Sequence, residues 1–165
     1  MKSLLKIGLF ALLMAFCATS ATAQKKKADK DTRQWRYELE AAGIAQQNTV
    51  QVKVWSYSKK ADIAIEQAKK NAVHGIVFRG FGSNRPLCTS PAAEQEHNDF
   101  FKDFFANGGK YLKYVQLVNN GAIAAGDRIK IGKEYKIGVV VVVDKNALRK
   151  DLEDAGIIKK LGAGF

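Results

Sequence analysis

The order of hydrophobic patterns predicts an α+β fold: a two-layer sandwich in which a mainly antiparallel sheet carries helices packed on one face. Three stretches carry that reading. "VQVKVWSYS" alternates as a strand does, and "ADIAIEQAKKNAV" repeats small apolar residues at helical steps. "RIKIGKEYKIGVVVVVD" reads as a short strand, a turn near Gly132-Lys133 and a long strand.

The 165-residue chain opens with a pattern of export. A basic start, Met1 to Lys6, precedes the apolar run Ile7 to Phe16, and "ATA" at Ala21 to Ala23 is a small-residue cleavage site. Residues 1–23 are therefore expected to be a signal peptide. The apolar run is short of the roughly 20 residues needed to cross a bilayer, and no later stretch reaches that length. The mature chain is thus expected in the periplasm or outside the cell. Lipidation of Cys17 in "MAFC" would instead anchor it to the outer membrane, but bulky Phe16 stands where a lipid signal wants a small residue. Residues 24–31 read as a flexible basic spacer, 32–156 as one α+β domain, and 157–165 as a C-terminal tail.

Within the domain, "TRQWRYELEAAG" places Trp35, Leu39 and Ala42 at helical spacing and predicts a short amphipathic helix. In the strand that follows, Val50, Val52 and Val54 point one way, and Gln51, Lys53, Trp55 and Tyr57 the other. Trp55 and Tyr57 are either covered by that helix or form a partner surface. Ser58 stands where an N-cap is wanted and Asp62 in the first turn. Ala61, Ala64, Ile65, Ala68, Ala72 and Ile76 share one helix face, and small residues there let the backbone approach a sheet closely. Lys60, Glu66, Gln67, Lys70 and Asn71 form the polar face, with Glu66 and Lys70 spaced for an ion pair.

"IVFRGFG" reads as a short strand, Ser83 to Pro91 as a loop, and "AAEQEHNDFFKDFFANGG" as a helix with Phe100, Phe101, Phe104 and Phe105 on one apolar face. "KYLKYVQLVNN" predicts a strand and "GAIAAGD" a connection. The unbroken valines Val139 to Val143 suit a central strand covered on both faces. Asp144 caps the last helix, where Leu148, Leu152 and Ala155 pack and Gly156 ends the run.

The alternating strand "VQVKVWSYS", the ladder "ADIAIEQAKKNAV" and the late strand "EYKIGVVVVVD" feeding a helix resemble a family of small bacterial envelope proteins. That family includes the amino-terminal domain of flagellar assembly protein T and related envelope lipoproteins. The resemblance spans about Val50 to Ala155 and implies a non-enzymatic scaffold or interaction domain of the cell envelope; it transfers no catalytic residue. The phenylalanine-rich stretch at Phe100 to Phe105 departs from it.

The chemistry-bearing residues are sparse. "RGFGSNR", Arg79 to Arg85, gathers glycines and arginines, but no helix follows at once and no G-K-[ST] motif is present, so it reads as a turn. No H-E-x-x-H or paired-cysteine spacing offers a metal site, and no cofactor motif occurs. After cleavage Cys88 is the one cysteine, so no intrachain disulfide forms. The net charge of +11 favours anionic partners; export sets nucleic acid aside and leaves another envelope protein, anionic lipid or an envelope polymer. The sequence therefore predicts a binding or scaffolding domain without catalysis. Its expected contact residues are Trp55, Tyr57, Arg79, Phe81, Arg85, Phe100 and Phe104. The alternative is a small secreted hydrolase or transferase using Cys88 with His74 or His97 as base, which requires an imidazole within hydrogen-bond reach of the sulfur.

Overall fold

A computed structural model describes residues 35–43, 46–160 and 162. The expected leader and spacer, and part of the expected tail, lie outside the described residues. The elements are β1 (Tyr37–Ala41), β2 (Thr49–Ser58), α1 (Ala61–Phe78), α2 (Ala93–Glu96), α3 (Asn98–Phe104), β3 (Val115–Leu117), β4 (Arg128–Ile131), β5 (Glu134–Asp144) and α4 (Lys145–Asp154), with short 3-10 turns between β3, β4 and their neighbours. The sheet runs β1-β2-β5-β3, with β4 also on β5, and every pairing is antiparallel. Since β2 takes one edge of β5 along its length, β3 and β4 share the other. This is the α+β sandwich that the patterns predict.

Register explains the core. Val52 pairs with Val141, Val54 with Val139 and Ser56 with Ile137, so these side chains share one face, and all are fully buried. The alanine ladder of α1 lies on that face: Ala64, Ala68 and Ala72 are inaccessible to solvent. Without bulky side chains along this stripe the helix axis sits close to the sheet, and larger Ile63, Val73, Ile76 and Val77 fill the margins. Gly75 marks the closest approach, since a Cβ there would collide with the Leu39 side chain of β1. Leu148 and Leu152 of α4 and Phe101, Phe104 and Phe105 join the same core. Each such side chain removed from water contributes roughly 1.5–3 kcal/mol.

Several local expectations are corrected. The segment expected as a first helix is β1. Its Tyr37, Leu39 and Ala41 also alternate with Glu38 and Glu40, and pairing with β2 decides in favour of the strand. Ile76 to Phe78, expected as a strand, are the last turn of α1. The strand preference of Ile76, Val77 and Phe78 is overridden because the returning loop binds that turn's carbonyls, Leu87 N to Ile76 O at 3.0 Å and Cys88 N to Val77 O at 2.8 Å.

Ser58 ends β2 rather than capping α1. The N-cap is Lys60, whose amide donates to Ser58 Oγ at 3.2 Å. Gln67, Lys70 and Asn71, expected on a solvated face, are buried. Asn71 donates to Ser56 Oγ at 3.0 Å, and the Lys70 ammonium lies 5.8 Å from the Tyr111 ring centre. Glu66 pairs with Lys69 at 3.0 Å.

The strand expected over "KYLKYVQLVNN" shrinks to Val115–Leu117. Tyr111 and Tyr114 turn inward through a 3-10 segment, Lys110–Lys113, and are each 5 % exposed. The phenylalanine helix breaks at His97 into α2 and α3. The Gly132-Lys133 hairpin and the Asp144 cap are as read, with Asp144 Oδ1 accepting from Ala147 N at 2.8 Å; Ala155, expected to pack, is exposed.

Candidate functional site

Three places hold the residues that chemistry or recognition would use. The first is the sheet face opposite α1. No helix of α1–α4 packs on it among the described residues, and Asp127 of the turn Ala125–Asp127 reaches over it. Trp55 lies at its centre. Its cross-strand partner is Gly138, where a Cβ would stand 3.1 Å from the indole and 3.2 Å from Asp127, so the absence of a side chain lets the ring lie flat on β5. Lys53 and Lys136 reach over the indole with ammonium groups 5.4 and 5.1 Å from its centre. Lys53 is held by Asp127 at 2.8 Å and Lys136 by Glu38 at 2.6 Å.

Trp55 is consequently 8 % exposed, and its Nε1–H has no hydrogen-bond partner among the described residues. Tyr57 beside it is half-buried, donates to Glu38 at 2.7 Å and carries Arg36 4.4 Å above its ring centre. Lys136 and Tyr57 together hold the Glu38 carboxyl below the usual carboxylate range. Arg36 also pairs with Glu134. Along the β4 edge of this face, Ile129 and Ile131 are 45 % and 46 % exposed. They alternate with Arg128 and Lys130 in a strand short enough to need no cover.

The second place, missed by sequence reasoning, surrounds His74. The imidazole is buried in the last turns of α1, with Nδ1 2.6 Å from the Tyr37 hydroxyl and Nε2 3.4 Å from Glu94 Oε2. Trp35 stacks on it at 3.5 Å between ring centres, and Phe78 and Phe105 close the sides. Arg79 donates to the Trp35 carbonyl at 2.9 Å and lies over the Tyr37 ring. Burial pushes His74 below its ordinary value against the pull of Glu94, so the ring is neutral at pH 7. Burial likewise raises the Tyr37 hydroxyl, while His74 is the main influence holding the Glu94 carboxyl low. The network ties β1, α1 and α2 together through satisfied polar groups. The only signal in the sequence was a histidine on an otherwise apolar helix end.

The third place is the loop after α1. Arg79 and Gly80 amides both donate to Gly75 O, and Phe81 and Asn84 exchange backbone hydrogen bonds. These four amides are taken by carbonyls, and the glycines turn the chain. Cys88 follows, 4 % exposed, with burial pushing its thiol up to about 11. His74 directs its two nitrogens to Tyr37 and Glu94 rather than to this sulfur. His97 lines the same cavity as Cys88, with no hydrogen bond between them.

The expected contact residues therefore scatter. Trp55 and Tyr57 share the open sheet face; Arg79 is exposed beside Trp35; Phe81 is half-buried in the turn; Arg85 is exposed on the cavity. Phe100 is half-buried and stacks on Phe104, which at 3 % exposure is a core side chain and offers no surface. No group of three or more metal-ligating side chains occurs among the described residues, and no described helix is long and apolar enough to cross a membrane. Comparison with known proteins finds no matching family model, curated protein or solved structure.

Proposed function

We propose that the chain is an exported, non-catalytic binding domain of the cell envelope whose open sheet face docks another envelope protein. The observation that carries this reading is the asymmetry of the sheet: one face is sealed by helices, and the other presents Ile129 and Ile131 beside the Trp55, Lys53 and Lys136 cluster. Lys136 is the cross-strand neighbour of Ile129 on that face, while Arg128 and Lys130 of the same strand point to the other, so the fitting partner presents an apolar patch to the two isoleucines. The leader pattern and the resemblance to the flagellar assembly protein T domain support the envelope as the place. The buried, raised thiol and the engaged His74 disfavour a Cys88 nucleophile at neutral pH.

A photo-crosslinking residue at position 131, with position 102 on the exposed side of α3 as control, tests the reading in the native cell. A discrete adduct with one envelope protein from position 131 and not from 102 is expected. Equal labelling from both positions, or adducts only with cytoplasmic proteins, overturns it.

A further inference from the structure

The loop from Arg85 to Ser90, α2, α4 and the segment after it enclose a cavity of about 530 Å³. That volume lies in the range of small-molecule sites. Its floor is apolar: Leu87 and Cys88 are 5 % and 4 % exposed, and Ile157 and Ile158 form a half-buried wall. Its lining is cationic, with Arg85, Arg149 and Lys159 against the single carboxylate of Glu96.

These cations are available. Arg85 and Lys159 are exposed and have no ion pair or hydrogen bond among the described residues. Arg149 meets Glu153 with one nitrogen at 3.3 Å, which leaves most of its guanidinium donors uncommitted. An apolar trough beside two cations without a partner among the described residues matches a ligand with a hydrocarbon body and an anionic head.

We infer that this cleft binds an anionic amphiphile, a single acyl chain bearing a carboxylate or phosphate. The chain lies against Leu87, Ile157 and Ile158, and the head is held by Arg85, Lys159 and Arg149. The inference is independent of the sheet-face docking proposed above, because the two surfaces share no residue and either can fail alone. It also gives the loop's exposed arginine a task that the turn itself does not need.

Titration of the purified chain with sodium dodecanoate tests it, followed by calorimetry and by backbone amide resonances. Saturable one-to-one binding is expected, with the largest shifts at Leu87, Cys88 and Ile157 and none at Ile129 or Ile131. Arg85→Gln combined with Lys159→Gln changes only exposed side chains, so folding is retained; it should weaken dodecanoate binding by about tenfold or more. Dodecyltrimethylammonium should bind at least about tenfold more weakly than dodecanoate.

No saturable binding at about millimolar ligand, where even weak sites fill, overturns the inference. So do shifts centred on the sheet face, or equal binding of the cationic amphiphile and of the double variant. Phosphatidylglycerol vesicles separate the ligand's sources. Vesicle binding that dodecanoate displaces assigns a membrane lipid, and dodecanoate binding without any vesicle binding assigns a free fatty acid; both support the cleft.

Discussion

The two faces of the sheet are built from the same alternating strands, yet they end in opposite states. On the α1 face, Val52, Val54, Ile137, Val139, Val141 and Val143 are all inaccessible, because a ladder of alanines brings a whole helix down on them. On the other face one large side chain, Trp55, is buried, and it is covered by lysine stems and a turn rather than by a secondary-structure element. Apolar alternation alone does not separate these outcomes, since Val140 and Val142 stand on the open face and remain half-buried. What differs is that a helix with a stripe of small residues lies on one side, and no described helix lies on the other. A sealed face and an open face can therefore arise from one strand pattern.

That contrast can be broken most decisively by deleting volume. Leu152→Ala, in the sealed core, should cost about 2–5 kcal/mol, whereas Ile131→Ala on the open face should stay within about 0.5 kcal/mol. Urea unfolding of both variants measures the difference, and similar losses would mean the open face is packed by something else.

The polar seam beneath α1 comes next. Tyr37→Phe leaves His74 Nδ1 buried without its hydroxyl partner and should cost about 1–3 kcal/mol. The same seam sets a pH dependence. Burial lowers the folded pKa of His74 below the unfolded value of about 6.5. Its contribution is thus present above that value and lost as pH falls through the folded pKa. Glu94, also lowered on folding, adds a loss in the same direction at more acid pH. Urea midpoints taken at neutral and acid pH should fall on acidification, and the part due to His74 should vanish in His74→Phe.

Trp55→Ala sharpens the comparison from the other side. A sealed aromatic loses about 3–5 kcal/mol on truncation; here solvent can enter the gap and the lysines can relax over it, so about 1–2 kcal/mol is expected. A loss as large as that of Leu152→Ala would show that the open face bears stability as well. Arg36→Gln, which removes an exposed ion pair with Glu134, should change stability by less than about 1 kcal/mol, and less still at high salt.

Much of this was legible in the chain itself. The alternation of β2, the hairpin before β5, the Asp144 cap and the buried alanine stripe follow from local periodicity and turn chemistry. The α1 ladder was readable because helical repeats of small residues have few other uses at that length. β1 was not, since Trp35, Leu39 and Ala42 fall at a helical period while Tyr37, Leu39 and Ala41 alternate as a strand does, and only the edge of β2 selects between them. The end of α1 was misjudged because Ile76 to Phe78 favour a strand locally, while the carbonyls of Ile76 and Val77 are bound by a loop eleven residues further on.

The candidate sites divide in the same way. Trp55 and Tyr57 were visible as aromatics on the second face of a strand. The His74 network was not, because its members stand on three elements that only folding brings into hydrogen-bond distance. The cavity beside Arg85 likewise joins a loop to a segment some seventy residues later.

Taken alone, the order of residues determined the fold class, the two long strands and the helix that seals them, because each depends on contacts between near neighbours at a fixed period. Which face stays open, which polar side chains are buried and where cations gather around an apolar trough were decided only in three dimensions. Those outcomes depend on pairings between distant segments, whose energies no local pattern records.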